Sequence, residues 1–167
     1  IILTLLSALC LIMTGCKAGE TLETAFAKKV EFAAGKFPVN AKTLELTVSA
    51  EELALLDEFV ELEALKLSGS TCYAEIGLWA ESHPHVELDC ELPLPNGKRV
   101  QLMAREADLS GLEREDVEEA AELLSAMPRL ESVDMGKGEL AAAPEFEDLL
   151  YLEEALPNVS FNWDKYS

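Results

Sequence analysis

The stretch LEALKLSG, residues 62–69, decides how the rest of the chain is interpreted. Leu65 and Leu67 flank one polar residue, which is the alternation of a short, half-buried strand and is too brief for a helix. The stretch LESVDMG, residues 130–136, has apolar residues at the same first, fourth and sixth places. This likeness indicates an internal repeat, the feature that most changes the interpretation of a fold.

Two further pairs of stretches match in the same order along the chain. Residues 41–46 (AKTLEL) match residues 104–109 (AREADL), and residues 83–88 (HPHVEL) match residues 156–161 (LPNVSF). The matching stretches are 63, 68 and 73 residues apart (41 to 104, 62 to 130, 83 to 156). The pattern therefore predicts a duplicated half of three strand–helix units, with each intervening helix five residues longer in the second copy.

Helical patterns lie between the predicted strands Leu44–Leu46, Leu65–Leu67 and Val86–Leu88, which are 21 residues apart. Ser49 and Glu52 form a capping-box signature at the start of the first helix. Apolar residues at helical spacing predict which side chains face the core. They are Leu53, Leu56 and Phe59 or Val60 in the first helix, Ile76 and Trp79 or Ala80 in a shorter helix near 72–82, Val117, Ala120, Ala121, Leu124 and Met127 in a helix starting at Ser110, and Phe146, Leu149, Leu150 and Leu156 after Pro144.

These repeats resemble those of bacterial leucine-rich-repeat proteins, specifically degenerate lipoprotein members of that group, over residues 41–163. The residues that carry the resemblance are Leu62, Leu65 and Leu67 in one copy and Leu130, Val133 and Met135 in the other. Ser70 and Gly138 stand where such repeats usually carry Asn or Cys. The resemblance implies an α/β fold, a short solenoid with a curved, mainly parallel sheet backed by helices. The domain spans residues 41–167, with halves at 41–92 and 104–167.

The stretch LPLPNGKRVQL, residues 92–102, interrupts the repeats. Asn-Gly between alternating apolar positions is the strongest short-range signal of a β-hairpin, so we expect a hairpin insertion between the halves. Before the first half, the sequence predicts an anchor and an N-terminal capping helix within residues 16–40. Its apolar face is Leu22, Ala25 or Phe26, Val30 and Ala33, and Gly35 ends it.

Residues 1–15 carry no charged side chain. Such a run is too short for a transmembrane helix, which needs about 20 apolar residues, and it fits the apolar region of a secretory signal. Met13-Thr-Gly-Cys16 resembles the lipobox of bacterial lipoproteins, in which cleavage precedes a cysteine that receives a diacylglyceryl group. The resemblance implies a signal peptide at 1–15 and lipid attachment at Cys16. It also implies an extracytoplasmic location on a bacterial membrane, at the cell surface or the periplasmic face.

The net charge of −19 limits the classes of partner. Such a surface repels nucleic acid and anionic headgroups, so membrane attachment must come from the lipid alone. The sequence lacks the common nucleophile, metalloprotease and nucleotide-binding signatures. Its two histidines, His83 and His85, correspond to Leu156 and Asn158 in the second copy, so the turn works without imidazole. We therefore expect no enzyme, no metal and no cofactor.

The middle residue of each predicted strand should point out of the core. This places Glu45, Lys66, Glu87, Asp108, Asp134 and Ser160 in one row along the open face of the sheet. One interpretation is a self-neutralising, solvated face. The other is a binding face for an unidentified protein, a basic peptide or a cationic envelope polymer. Two further alternatives are a small envelope hydrolase using carboxylates, and a docking subunit of a larger surface assembly that uses the hairpin.

Cys72 and Cys90 remain if Cys10 leaves with the signal and Cys16 is acylated. Their positions in adjacent units make a disulfide possible, because alternation from Leu88 turns Cys90 inward. Two separate buried thiols are the alternative.

Overall fold

The computed structural model describes residues 28–136 and 144–163. These residues form a mixed α/β fold with mostly parallel sheets. The predicted signal peptide, Cys16 and Gly138 lie outside the described residues. The strands are β1 Lys29–Phe32, β2 Gly35–Pro38, β3 Thr43–Leu46, β4 Ala64–Leu67, β5 Glu87–Pro93, β6 Arg99–Gln101, β7 Glu106–Asp108, β8 Ser132–Gly136 and β9 Ser160–Trp163. The helices are α1 Tyr73–Ser82, α2 Val117–Ser125 and α3 Phe146–Ala155, with 3-10 helices at Ala50–Glu58 and Arg114–Asp116.

Each half contributes three parallel strands, as the repeats predict. Strands β3, β4 and β5 are parallel neighbours, and β6 pairs antiparallel with β5. Strands β7, β8 and β9 form a second, parallel sheet. The expectation of a single curved sheet is wrong, because β6 ends the first sheet and β7 begins another.

The two halves use the same main-chain contacts where their second strands begin. The carbonyl of Lys42 accepts the N–H of Glu63 at 2.7 Å, and the carbonyl of Arg105 accepts the N–H of Glu131 at 2.7 Å. The side chains of the same residues form ion pairs, with N–O distances of 2.6 Å in each half. This correspondence supports the duplication inferred from the sequence.

The helices bury most of the side chains that their spacing selects. Leu53, Leu56 and Phe59 are buried, so Phe59 and not Val60 faces the core. All five residues predicted between Val117 and Met127 are buried, and so are Ile76, Trp79 and Ala80 of α1. Phe146 and Leu150 are exposed, which corrects two predictions. In α3 the buried positions are Leu149 and Leu152, with Leu156 following the helix.

The extra residues of the second half do not all lengthen helices. α1 and its counterpart α3 both contain 10 residues. The five extra residues between the second and third repeats of the later half therefore lie outside α3. The helix predicted to start at Ser110 begins as α helix only at Val117, after the short 3-10 turn Arg114–Asp116.

The predicted N-terminal capping helix is wrong for the part that the structure describes. β1 and β2 form an antiparallel hairpin. Val30 and Phe32 are buried and alternate with exposed residues, which is the period of a strand. The segment still covers the first unit, because the ring of Phe32 lies 6.0 Å from that of Phe59 and Glu52 accepts the N–H of Ala33 at 2.6 Å.

The predicted hairpin within residues 92–102 is confirmed by the pairing of β5 with β6. Gly97 occupies the left-handed region with φ of 80°, as its turn requires. The Asn96 side-chain amide donates to the carbonyls of Asp108 at 2.9 Å and Ser110 at 3.2 Å. The hairpin turn thus connects the first sheet to the end of β7.

Ser70 is the one buried polar residue of the described chain, with an exposed fraction of 4%. Its hydroxyl oxygen accepts the N–H of Val48 from the preceding layer at 2.9 Å. Burial without this acceptor would leave a backbone donor unsatisfied. A serine hydroxyl therefore makes the contact between these two layers.

Candidate binding face of the two parallel sheets

The outward residues of the strands form two rows, one on each parallel sheet. The first row is Glu45, Lys66 and Asp89, which are level with one another in β3, β4 and β5. The second row is Asp108, Asp134 and Asn162 in β7, β8 and β9. Four of the predicted outward residues, Glu45, Lys66, Asp108 and Asp134, therefore occupy the central positions expected of them.

The third strand of each half is shifted by two residues from the prediction. Glu87 pairs with Ala64, and Ser160 pairs with Ser132, so each lies one outward position before its row. A shift of two keeps the side chain on the same face of the sheet. It moves the side chain by about 7 Å along the strand. Asp89 and Asn162 are the residues that the sequence interpretation missed.

The first row lies in a hollow of about 560 Å³, which we call the first hollow. At its centre the Lys66 ammonium lies 3.0 Å from a Glu45 carboxylate oxygen. The hydrogen bond to Glu45 raises the pKa of Lys66, and the charges of Glu45, Asp89 and Glu91 act in the same direction. The first hollow is thus partly neutralised by its own lysine. Its lining is Thr43, Leu44, Glu45, Ala64, Leu65, Lys66, Glu87 and Asp89.

The second row lies in a hollow of about 520 Å³, which we call the second hollow. Asp134 stands at its centre, where the first hollow has Lys66. One Asp134 oxygen accepts the N–H of Gly136 at 2.8 Å, which fixes the carboxylate at the end of β8. The described residues that line it are Glu106, Ala107, Asp108, Ser132, Val133, Asp134 and Asn162, none of which is basic.

A lysine of the hairpin reaches the edge of this second hollow. Lys98 forms an ion pair with Asp108 at 2.5 Å, and its ammonium also donates to the Ser110 hydroxyl. Burial would raise the pKa of Asp108, but the hydrogen bonds from Lys98 and Ser110 lower it. Asp108 is therefore an ionised, internally paired carboxylate, whereas Glu106 and Asp134 form no ion pair with any described residue.

A third hollow, of about 930 Å³, lies on the helical side. Arg114 bridges its two walls, with nitrogens 2.9 Å from Glu145 and 3.1 Å from Asp148. This ion-pair network ties the start of α2 to the start of α3.

The two cysteines singled out for a disulfide are free thiols in the structure. The Cys72 thiol donates to the carbonyl of Val48 at 3.7 Å. Cys90 is buried, as its inward position in β5 predicts, and burial raises the pKa of its thiol to about 11. The nearby Cys72 contributes to this shift in the same direction.

Within residues 28–136 and 144–163, no three His, Cys, Asp or Glu side chains are grouped as a metal site. Of the helices in this part of the chain, none has both the length and the apolar character needed to cross a bilayer. Comparison with known proteins gives no match: no protein-family model, no curated protein and no solved structure is similar to the chain.

Proposed function

We propose that the protein is a non-catalytic, lipid-anchored interaction module of a bacterial cell envelope. In this proposal it binds a cationic protein segment through the outer faces of its two parallel sheets. The observation that carries the proposal is the recurrence of an outward hollow at the same strand positions in both halves. Carboxylates line both hollows, in a chain whose net charge is −19.

The second hollow is the stronger candidate for the partner's cation. Glu106 and Asp134 are exposed and carry no basic partner among the described residues, whereas the ammonium of Lys66 already lies in the first hollow. Complementary charge sets the orientation of a partner and speeds its association more than it adds affinity. A lysine-rich or arginine-rich segment would therefore bind quickly, weakly and in a salt-dependent way.

The finer architecture is also part of the proposal: a short leucine-rich-repeat-like solenoid of two three-unit halves. Parallel strands in matching register support it, and so does the contact between Ser70 and Val48 of adjacent layers. Repeat proteins of this kind commonly bind partners on an exposed sheet face.

Membrane attachment in this proposal depends on Cys16. The evidence is the uncharged run of residues 1–15 followed by Met-Thr-Gly-Cys. Because the acidic domain repels anionic headgroups, stable anchoring needs at least two acyl chains on the cysteine. In a bacterial host, labelled fatty acid should be incorporated into the chain and lost in Cys16→Ser. Equal labelling of that variant would refute the anchor without touching the binding face.

The binding face is tested with a fluorescent lysine-rich peptide and the full chain at low and physiological salt. The variant Glu106→Gln/Asp134→Asn removes two charges from the second hollow. The control Glu119→Gln/Glu122→Gln removes two charges from the exposed side of α2. We expect the first pair to weaken binding by roughly 2- to 10-fold, as two partly exposed ion pairs allow, and the second pair to change it little. Equal weakening by both pairs would mean that only bulk charge attracts the peptide.

The natural partner can be sought by cross-linking in solubilised bacterial envelope, with the same two variants as baits. A partner retained by the α2 variant and lost with the second-hollow variant supports the proposal. A partner retained by both directs attention to the helical side. If the captured material is a cationic polymer, the face is correct and the proposed protein partner is wrong.

The two alternatives make different predictions. A carboxylate hydrolase would favour an acid whose pKa is raised inside a cleft. Among residues 28–136 and 144–163, hydrogen bonds instead lower the pKa of Glu52 and Asp108. A docking role for the hairpin would need a free turn, yet Asn96 and Lys98 bind the end of β7. Neither alternative gains support from these contacts.

A further inference from the structure

A second polar cluster lies at the end of α1, on the helical side of the first half. The rings of Trp79 and His83 are stacked, with centroids 4.3 Å apart and planes inclined by 16°. The indole N–H of Trp79 donates to an Asp57 carboxylate oxygen at 2.9 Å. The same Asp57 oxygen lies 3.4 Å from Nε2 of His83. Asp57 belongs to the preceding 3-10 helix, so the cluster connects two successive layers.

Hydrogen-bond acceptors face both nitrogens of the His83 ring. Nδ1 lies 2.9 Å from the main-chain oxygen of Trp79 and 3.0 Å from the Ser82 hydroxyl. That hydroxyl also lies 2.7 Å from the Trp79 carbonyl oxygen, so it can donate there and accept from the imidazole. An oxygen of the Asp57 carboxylate lies 3.4 Å from Nε2, within ion-pair distance. A neutral imidazole has one N–H and would leave one ring lone pair against an acceptor, whereas an imidazolium satisfies both sides.

The main chain of α1 also places carbonyl groups around His83. His83 caps the C-terminus of α1, where its main-chain N–H donates to the carbonyls of Trp79 and Ala80. The C-terminus of a helix carries partial negative charge and stabilises a cation. Apart from Asp57, the titratable group in contact with the ring is His85, whose own ring centroid lies 5.9 Å away.

The second half builds the equivalent turn without these groups. Leu156 matches His83, and its N–H also closes the preceding helix, on the carbonyl of Leu152. Leu152 occupies the place of Trp79, and Ser125 that of Asp57. The turn therefore forms without an ionisable cluster, so the cluster of the first half is not required by the repeat.

We propose that Asp57, Trp79 and His83 form a proton-dependent clamp that holds α1 to the 3-10 helix Ala50–Glu58. Protonated His83 bridges the Trp79 carbonyl and the Asp57 carboxylate. Loss of the Nε2 proton turns that contact into a meeting of two acceptors, so the connection through Asp57 loosens. Imidazole is the side chain that changes charge between about pH 5 and 8, so the clamp tightens on acidification and weakens as the pH rises.

Tryptophan fluorescence reports directly on this cluster. The chain has two tryptophans, so the full chain carrying Trp163→Phe leaves Trp79 as the reporter. A stacked imidazolium quenches indole emission more than neutral imidazole does. We expect the emission to fall as the pH is lowered from 8 to 5.5, and this change to be lost in His83→Gln but kept in His85→Gln. A change that survives His83→Gln, or that is lost in His85→Gln alone, would overturn the proposal.

Stability separates a clamp from a passive contact. The difference in unfolding free energy between the chain and its His83→Gln variant should be larger at pH 5.5 than at pH 8. Taking the difference cancels the titration of the many carboxylates that both proteins share. An equal difference at the two pH values would refute the clamp even if the fluorescence titrates.

The variant Asp57→Asn supplies an independent test, and it remains informative if His83→Gln does not fold. It keeps an acceptor for the Trp79 indole but removes the negative charge beside Nε2. The loss of unfolding free energy that it causes should be larger at pH 5.5 than at pH 8. An equal loss at the two pH values would mean that Asp57 takes no part in the clamp.

Discussion

Replacing Ser70 by alanine tests the contact that joins the first two layers of the structure. Val48 and Ser70 have exposed fractions of 3% and 4%, and the hydroxyl is the acceptor of the Val48 N–H at 2.9 Å. Alanine removes the acceptor and leaves a buried amide without a partner. Such a group costs about 1–3 kcal/mol, which is a large share of the stability of a single domain.

Urea unfolding at neutral pH, followed by circular dichroism, measures this loss. We expect Ser70→Ala to lower the free energy of unfolding by about 1–3 kcal/mol, and each kcal/mol to lower Tm by roughly 2–4 °C. Ser68→Ala is the matched control, because Ser68 is exposed two residues earlier and should stay within about 0.5 kcal/mol. If Ser70→Ala loses no more stability than Ser68→Ala, the hydroxyl does not satisfy Val48 and the account of the layer contact is wrong.

Three further predictions concern single sites. Gly136→Ala should destabilise the chain by more than about 1–2 kcal/mol in the same urea assay, because Gly136 has φ of 66° and a Cβ there would clash with Ser110; wild-type stability would contradict this. Burial would raise the pKa of Asp108, but hydrogen bonds from Lys98 and Ser110 lower it. The stabilising contribution of this carboxylate is therefore full at neutral pH and is lost as the pH falls through its folded pKa. Asp108→Asn should destabilise the chain more at pH 7 than near pH 3, and a constant difference between those pH values would argue against the pairing. Because burial raises the pKa of Cys90 to about 11, its thiol should be alkylated by iodoacetamide at pH 8 about 100-fold or more slowly than free cysteine, with the rate restored in urea; rapid labelling of the folded chain would mean that the thiol is accessible.

The strands and helices of the repeats could be predicted because their apolar spacing is regular. The alternation at Leu44–Leu46 and Leu65–Leu67 and the spacing from Val117 to Met127 each identify one buried face, and the structure buries those faces. Where the same residues fit both a helical and a strand pattern, their spacing does not decide which element forms. Val30 fits a helix with Ala33 and a strand with Phe32, and pairing with β2 favours the strand.

The residues of the candidate face were predicted correctly in the first two strands of each half and two residues too early in the third. Val86 is buried like a strand residue, although β5 begins only at Glu87, so counting from Val86 gives a register two residues early. Period-2 patterns cannot reveal such a shift, because every outward residue stays outward. The contacts of Lys98 and Asn96 with the end of β7 were equally out of reach, since they depend on how the hairpin folds back in three dimensions.

The comparison of the two halves carries the functional argument further than either half alone. Matching hydrogen bonds at Lys42 and Arg105 show that the backbone scaffold is common to both. Differences at matching positions therefore come from the side chains and not from a change of fold. The centre of the outward face changes from Lys66 to Asp134, and the helix end changes from His83 to Leu156. In the first half, Lys66 neutralises part of the outward face and His83 adds an ionisable contact between layers. In the second half, the outward carboxylates stay exposed and Leu156 makes the helix end apolar. A cationic partner should therefore prefer the second half.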